Sequence, residues 1–209
     1  MQEITTARQR GKRHLGAGKP KRVSVWLILG PSGVGKSSFG GWLAEERDWL
    51  HLEVDRYPDP ADGITLHNLR SGWDDFFCRG NPKGLSETLQ RRLAAKSKTG
   101  CVVTFPGNLV LSPDRMIAAA RAGIRTIYLY GSAADCITAF LTREQQTGRN
   151  LPLTHWFGHN WRSYMQMSEP AFAPFRIHVF THMCTRRSHE EVFEALLKGE
   201  ESEAPTLRN

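Results

Sequence analysis

Eight consecutive residues, Gly30-Pro31-Ser32-Gly33-Val34-Gly35-Lys36-Ser37, fit the pattern G-x-x-x-x-G-K-[ST]. Glycines at this spacing let successive backbone N–H groups curl around phosphate oxygens. A helix that starts just behind them adds partial positive charge from its N-terminus. In such a loop Lys36 reaches the β- and γ-phosphates and the Ser37 hydroxyl is a Mg²⁺ ligand. Ser32, Gly33, Val34, Gly35 and Ser38 complete the cradle. The competing reading is a chance glycine-rich turn. Context argues against it, because an apolar run at 23–29 reads as a buried strand and residues from 36 onward read as a helix. ATP and Mg²⁺ are the expected cofactors.

Glu53 and Asp55 come next. They stand two apart at the end of a short strand expected at 50–54, so both project from one face. Phosphoryl transfer to a hydroxyl needs a carboxylate to orient and accept the proton, and Mg²⁺ takes oxygen ligands directly or through water. Asp55 is therefore the candidate base and Glu53 the outer Mg²⁺ partner. Two ordinary carboxylates at a loop edge are the plainer alternative.

These side chains need a scaffold to hold them. Strands are expected at 23–29, 50–54, 101–105, 124–130 and 176–180. Helices are expected at 36–47, 66–78, 85–96, 113–122, 133–146, 153–167 and 188–197, with Ser112 and Ser132 as N-caps and Pro113 opening a helix. Gly40 and Gly41 cost roughly 1 kcal/mol each in a helix interior, which makes sense if that helix packs closely on the sheet. The alternation implies an α/β fold of P-loop NTPase type: a three-layer sandwich around a mostly parallel five-stranded sheet, with ligands beyond the carboxyl ends of the strands. Residues 23–198 form the expected domain, residues 56–100 a helical substrate-binding excursion, and residues 199–209 a polar tail.

Composition narrows the classes. The chain has 209 residues, 40% hydrophobic and 23% charged, as expected of one sizeable α/β domain. No apolar run approaches the roughly 20 residues of a membrane span, so no membrane partner is expected. Cys78, Cys101, Cys136 and Cys184 are far apart, which suggests reduced thiols and a cytoplasmic setting. Residues 1–22 hold seven of the 28 Lys and Arg but one of the 21 Asp and Glu, so this segment carries +6 of the net +7. It reads as a solvated tail, or as an arm for DNA or another polyanion.

The glycine loop, Glu53-x-Asp55 and an arginine-rich helix end at 143–149 resemble the group of shikimate kinase, gluconate kinase and chloramphenicol phosphotransferase. The stretch Thr126-Ile127-Tyr128-Leu129-Tyr130-Gly131-Ser132 also resembles that group's fourth strand and turn. Kinases of the zeta-toxin type have a similar layout. The resemblance spans 23–197 and implies a P-loop small-molecule kinase whose acidic residue after the second strand contacts the acceptor hydroxyl. It also implies an arginine lid at 143–152, for which Arg143 and Arg149 are candidates; a solvated helix end is the alternative. The adenine would lie near 181–187, where Arg186 or Arg187 could stack on it or simply form a surface loop. One departure counts against shikimate itself: the family's Gly-Gly-Gly turn after strand three reads Phe105-Pro106-Gly107-Asn108 here.

For the acceptor, Arg56, Arg70, Trp73, Asp74 and Asp75 could line the excursion, with Arg56 beside Asp55 the leading anion-binding candidate. Trp73, Phe76 and Phe77 at helical spacing read more readily as core, as do Trp156, Trp161, Tyr164 and Phe172. His155 and His159 are spaced as helix metal ligands, but no third ligand is evident. Strands three and four end without a carboxylate and no N-K-x-D occurs, which disfavours a motor ATPase or a GTPase switch. The expectation is an ATP- and Mg²⁺-dependent phosphotransferase acting on a small-molecule hydroxyl. The alternatives are a kinase for a nucleotide or a modified base in DNA, and a non-catalytic ATP-binding module.

Overall fold

The computed structural model describes residues 24–53, 66–105, 107–108, 110–181 and 185–203, with the backbone alone for 66–71, 73 and 199–203. Asp55, Arg56, Cys184 and the basic segment 1–22 lie outside the described residues, as do the side chains of Arg70 and Trp73.

Among the described residues five strands form one sheet: β1 (Ser24–Leu29), β2 (Trp49–Glu53), β3 (Gly100–Thr104), β4 (Ile124–Tyr130) and β5 (Arg176–His178). Their order is β2-β3-β1-β4-β5 and every pairing is parallel. The helices are α1 (Lys36–Glu46), α2 (Leu66–Arg79), α3 (Lys83–Lys96), α4 (Pro113–Arg121), α5 (Ala133–Gln146), α6 (Leu153–Ser168) and α7 (His189–Glu203), with a 3₁₀ segment at Pro170–Phe175.

Alternation along β1 divides the core in two. Val25, Leu27 and Leu29 pack with Leu85, Leu89 and Leu93 of α3 and Met116 of α4. Trp26 and Ile28 pack on the other face with Phe39 and Leu43 of α1, Phe140 of α5 and Leu196 of α7. A central parallel strand covered on both faces has no polar side, so β1 reads as an unbroken apolar run. Phe76 is fully buried and Phe77 packs beside it, as helical spacing suggested. Gly40 does mark a close approach: a Cβ there would lie 2.4 Å from the His51 ring of β2. At Gly41 a Cβ would meet nothing within 4 Å, so close packing does not explain that glycine.

Three expectations need correction. Helix α7 continues to Glu203 rather than ending near 197, because Gly199 weakens a helix without stopping it. Ser112 stands at the N-cap of α4 but its side chain makes no cap hydrogen bond, whereas Ser132 accepts from the Asp135 N–H. Trp161 is 41% exposed, unlike Trp156, Tyr164 and Phe172. Its position on α6 puts it on the outer flank with Phe157, stacked on Tyr164 at 6.0 Å. Cys101 and Cys136 are buried, and burial pushes both thiols up to about 12, which makes them inert.

Candidate nucleotide and phosphoryl-transfer site

The glycine loop joins β1 to α1 at the carboxyl edge of the sheet, between β3 and β4. Gly33 and Gly35 have φ of 93° and 90°, in the left-handed region that glycine favours. Gly35 is also the N-cap of α1 and offers no side-chain cap, so the first turn of that helix presents its N–H groups to an anion. The Lys36 ammonium donates to the carbonyls of Gly30 at 2.8 Å and Pro31 at 3.0 Å, which centres the charge over the loop.

The Ser37 hydroxyl donates to Glu53 Oε1. This contact joins the first turn of α1 to the last residue of β2, two strands away in the sheet. A hydroxyl and a carboxylate together are hard oxygen donors of the kind that suits Mg²⁺. The structure thus unites two residues that sequence had named separately for the metal. Among the described residues there is no group of three or more His, Cys, Asp or Glu that could hold a metal ion; the His155 and His159 rings lie 4.2 Å apart between centroids and are tilted by 40°.

A cleft of about 390 Å³ opens over the loop. One wall is the loop with Lys36, Ser37 and Ser38. The other is a single face of α5, made by Ala139, Thr142, Arg143 and Gln146, with Arg186 also lining the space. Those four positions follow i, i+3, i+4, i+7, a helical signal that could have been read from sequence.

Arg143 and Arg149 are drawn together by a residue the sequence reading passed over. Glu144 is 1% exposed, yet it carries a carboxylate. Arg143 donates to its Oε1 through Nε at 3.0 Å, and the Arg149 Nε lies 3.0 Å from Oε2. Two guanidinium groups beside one buried carboxylate offset its desolvation, and they hold both arginines at the end of α5. Arg149 N–H also closes on the Glu144 carbonyl at 3.1 Å.

Arg186 lies on the phosphate loop. It donates to the Val34 carbonyl at 2.8 Å, and a Cβ on Gly35 would sit 1.1 Å from its guanidinium. Next to it, the Ser38 hydroxyl pairs with His189 Nε2 at 3.0 Å, and the His189 ring packs against Phe39 and Trp42. Burial, together with the nearby Arg186 charge, pushes His189 below the usual 6.5. The unfolded chain therefore takes up a proton near pH 6.5 that the folded chain resists, and stability falls as pH drops below that point. In urea titrations the unfolding midpoint should fall between pH 7.5 and 5.5, and His189→Gln should make that fall smaller. An equal fall in both proteins would show that His189 contributes nothing to it. Arg187 donates its backbone N–H to the Val179 carbonyl.

No family model matches the chain. It is 31% identical over 123 residues to a shikimate kinase of Pseudomonas entomophila (strain L48), covering 59% of this chain and 62% of that protein. It is 28% identical over 120 residues to a shikimate kinase of Hahella chejuensis (strain KCTC 2396), covering 53% and 59%. The chain thus spans about three fifths of the length of the curated relatives it matches. Among solved structures, a gluconokinase from Sinorhizobium meliloti 1021 aligns at 19% identity and a TM-score of 0.49, over 90% of this chain and 97% of that one. A shikimate kinase from Acinetobacter baumannii in complex with shikimate aligns at 18% and 0.45, over 88% and 96%. The sequence similarity to curated proteins thus falls on the group of small-molecule kinases that the glycine loop and Glu53-x-Asp55 resemble.

Proposed function

We propose that this protein is a phosphotransferase that moves the γ-phosphate of ATP to a hydroxyl of a small molecule. The observation that carries the reading is the contact between Ser37 and Glu53 beside the glycine loop. It puts a metal-type donor pair where a triphosphate would end, and Asp55 follows two residues later in the chain. A module that only binds ATP has no need of a carboxylate at the Asp55 position. The similarity to shikimate kinases supports the same reading.

The division of labour follows from position. Amides of the loop and of the first turn of α1 hold the phosphates, and Lys36 neutralises charge on the transferring group. Ser37, with Glu53 behind it, would hold Mg²⁺, whose charge supports the phosphates when bound. Arg143 lines the cleft, where a cation would stabilise the charge that develops in transfer, and Arg149 is held on Glu144, the next residue of α5, as the second candidate. The acceptor oxygen forms a bond to the γ-phosphorus as the bond to the β-phosphate oxygen breaks, and ADP leaves. The hydroxyl proton passes to the Asp55 carboxylate and then to solvent. The acceptor itself is read no further than a small hydroxyl compound. Arg56, Arg70 and Trp73 remain its candidate contacts from sequence.

No helix among the described residues is long and apolar enough to cross a membrane. A cytoplasmic setting is part of the proposal and rests on the free thiols of Cys78, Cys101 and Cys136. A DNA acceptor rests on residues 1–22 alone, and no observation in the described residues favours it. The test is a screen of sugars, sugar acids, cyclic hydroxy acids, antibiotics and nucleosides for acceptor-dependent ADP release. With the acceptor found, Asp55→Asn should lower kcat by about 10²–10⁴ with little change in ATP affinity, the range expected when a general base is lost. Unchanged turnover would remove Asp55 from the base role. Tight ATP binding with no acceptor anywhere in the screen would favour the binding module.

A further inference from the structure

Helix α6 turns one polar stripe towards the phosphate loop. Asn160 is 1% exposed and 128 residues from Ser32, yet its Oδ1 accepts the Ser32 N–H at 2.8 Å. One turn earlier, the Trp156 indole donates to the Ser32 carbonyl at 3.0 Å. Both backbone polar groups of a single loop residue are thus held by two side chains four apart on one helix. The amide orientation of Asn160 is unambiguous, because its Nδ2 donates to the Trp156 carbonyl at 3.1 Å while its oxygen faces an N–H. One turn further on, the Ser163 hydroxyl donates to the Gly107 carbonyl at 2.6 Å. Gly107 itself leaves no room at this junction: a Cβ there would lie 2.0 Å from Asn160 Oδ1 and 2.9 Å from the Ser32 nitrogen.

We propose that Asn160, acting with Trp156, is the positioning residue that sets the shape of the phosphate loop and ties it to the loop after β3. The inference rests on the ATP-binding reading above. Its physical basis is that a loop offers well-aimed amides only if its own backbone is held from outside. Ser32 sits immediately before Gly33, whose left-handed φ would otherwise allow the chain to swing. The Asn160 bond also corrects the expectation for Ser32: its N–H is engaged by Asn160 and so is not among the amides that would curl around an anion. A side chain so deeply buried is otherwise costly, and its bonds to Ser32 and Trp156 make it acceptable there.

The test is equilibrium binding of ATP to the full chain by calorimetry, paired with thermal melting of each variant. Asn160→Ala, Trp156→Phe and Gly107→Ala should each weaken ATP binding about tenfold, equivalent to about 1.4 kcal/mol, at a temperature where each is folded. Asn160→Ala and Gly107→Ala combined should weaken it by less than the product of the two, since they break one junction from opposite sides. Ser168→Ala removes bonds to Tyr130 and the Tyr164 carbonyl on the same helix, and should lower the melting temperature without changing ATP affinity. If the junction variants melt lower but bind ATP like the wild type, Asn160 is merely structural and the proposal fails. Should Asn160→Ala not fold, Trp156→Phe decides in the same way: it removes the indole donor and leaves a smaller ring at a fully buried site, and the melting temperature scores that lost packing separately from ATP affinity. A wild-type chain that binds no ATP would instead overturn the nucleotide reading itself, and this inference with it.

Discussion

Lys36→Ala should lower kcat/KM for phosphoryl transfer by about 10³ while leaving the fold intact. The ammonium bridges the carbonyls of Gly30 and Pro31 at the mouth of the loop and is the one side-chain cation within the Gly30–Ser37 motif. A preorganised donor aimed at charge that grows in the transition state accounts for about 10²–10³ in rate, and a full positive charge belongs at the upper end. Lys36 is half-buried at the start of α1 and belongs to neither hydrophobic cluster, so its loss creates no core cavity. The comparison to make is between the ADP-release rate and the melting temperature. A rate within tenfold of the wild type would show that phosphate charge is neutralised elsewhere, with Arg186 the first residue to examine.

The second large effect is expected at Gly33. Its φ of 93° lies where a side chain is strained, at about 1–2 kcal/mol. A Cβ would also come 2.4 Å from the Cys136 carbonyl and 2.6 Å from the Phe140 nitrogen, both backbone atoms of α5 that cannot turn aside. Such overlap costs about 1–3 kcal/mol more. Gly33→Ala should therefore lower stability by about 2–5 kcal/mol, a large share of the roughly 5–15 kcal/mol that holds a domain folded. What remains folded should bind ATP poorly, because the loop can relieve the clash only by moving off α5, the other wall of the cleft. Gly41→Ala is the matched comparison. It lies inside α1 with open space around it, and there alanine should stabilise by about 1 kcal/mol. Equal effects at the two positions would mean that helix propensity, not the fit of the loop to α5, governs both.

The parts of the site that were legible from sequence are those whose chemistry is local. Gly30–Ser37 declares itself because a strand, a turn that needs glycine and a helix N-terminus are adjacent in the chain. Glu53 was legible for a similar reason: it ends a strand, and parallel sheets collect their ligands at strand ends. Residues whose role depends on a distant partner were not legible. Glu144 looked like one more charge on a polar helix end, and only packing shows that it is buried between Arg143 and Arg149. Trp156 read as core, which it is, but its indole nitrogen also holds a carbonyl 124 residues away. His189 carried no sequence signal at all, and its contact with Ser38 spans 151 residues.

By itself, the sequence determined five strands, seven helices between and around them, and a loop built for phosphate. These follow from side-chain period, turn chemistry and backbone freedom, which act over a few residues. The tertiary structure alone decided the order β2-β3-β1-β4-β5, because parallel strands are joined by crossovers whose destination is set by packing rather than by neighbouring residues. That order brings Glu53 to Ser37 and seats α6 over Ser32. The glycine loop was visible from the start. The side chains that hold it in shape became visible only once the chain had folded over it.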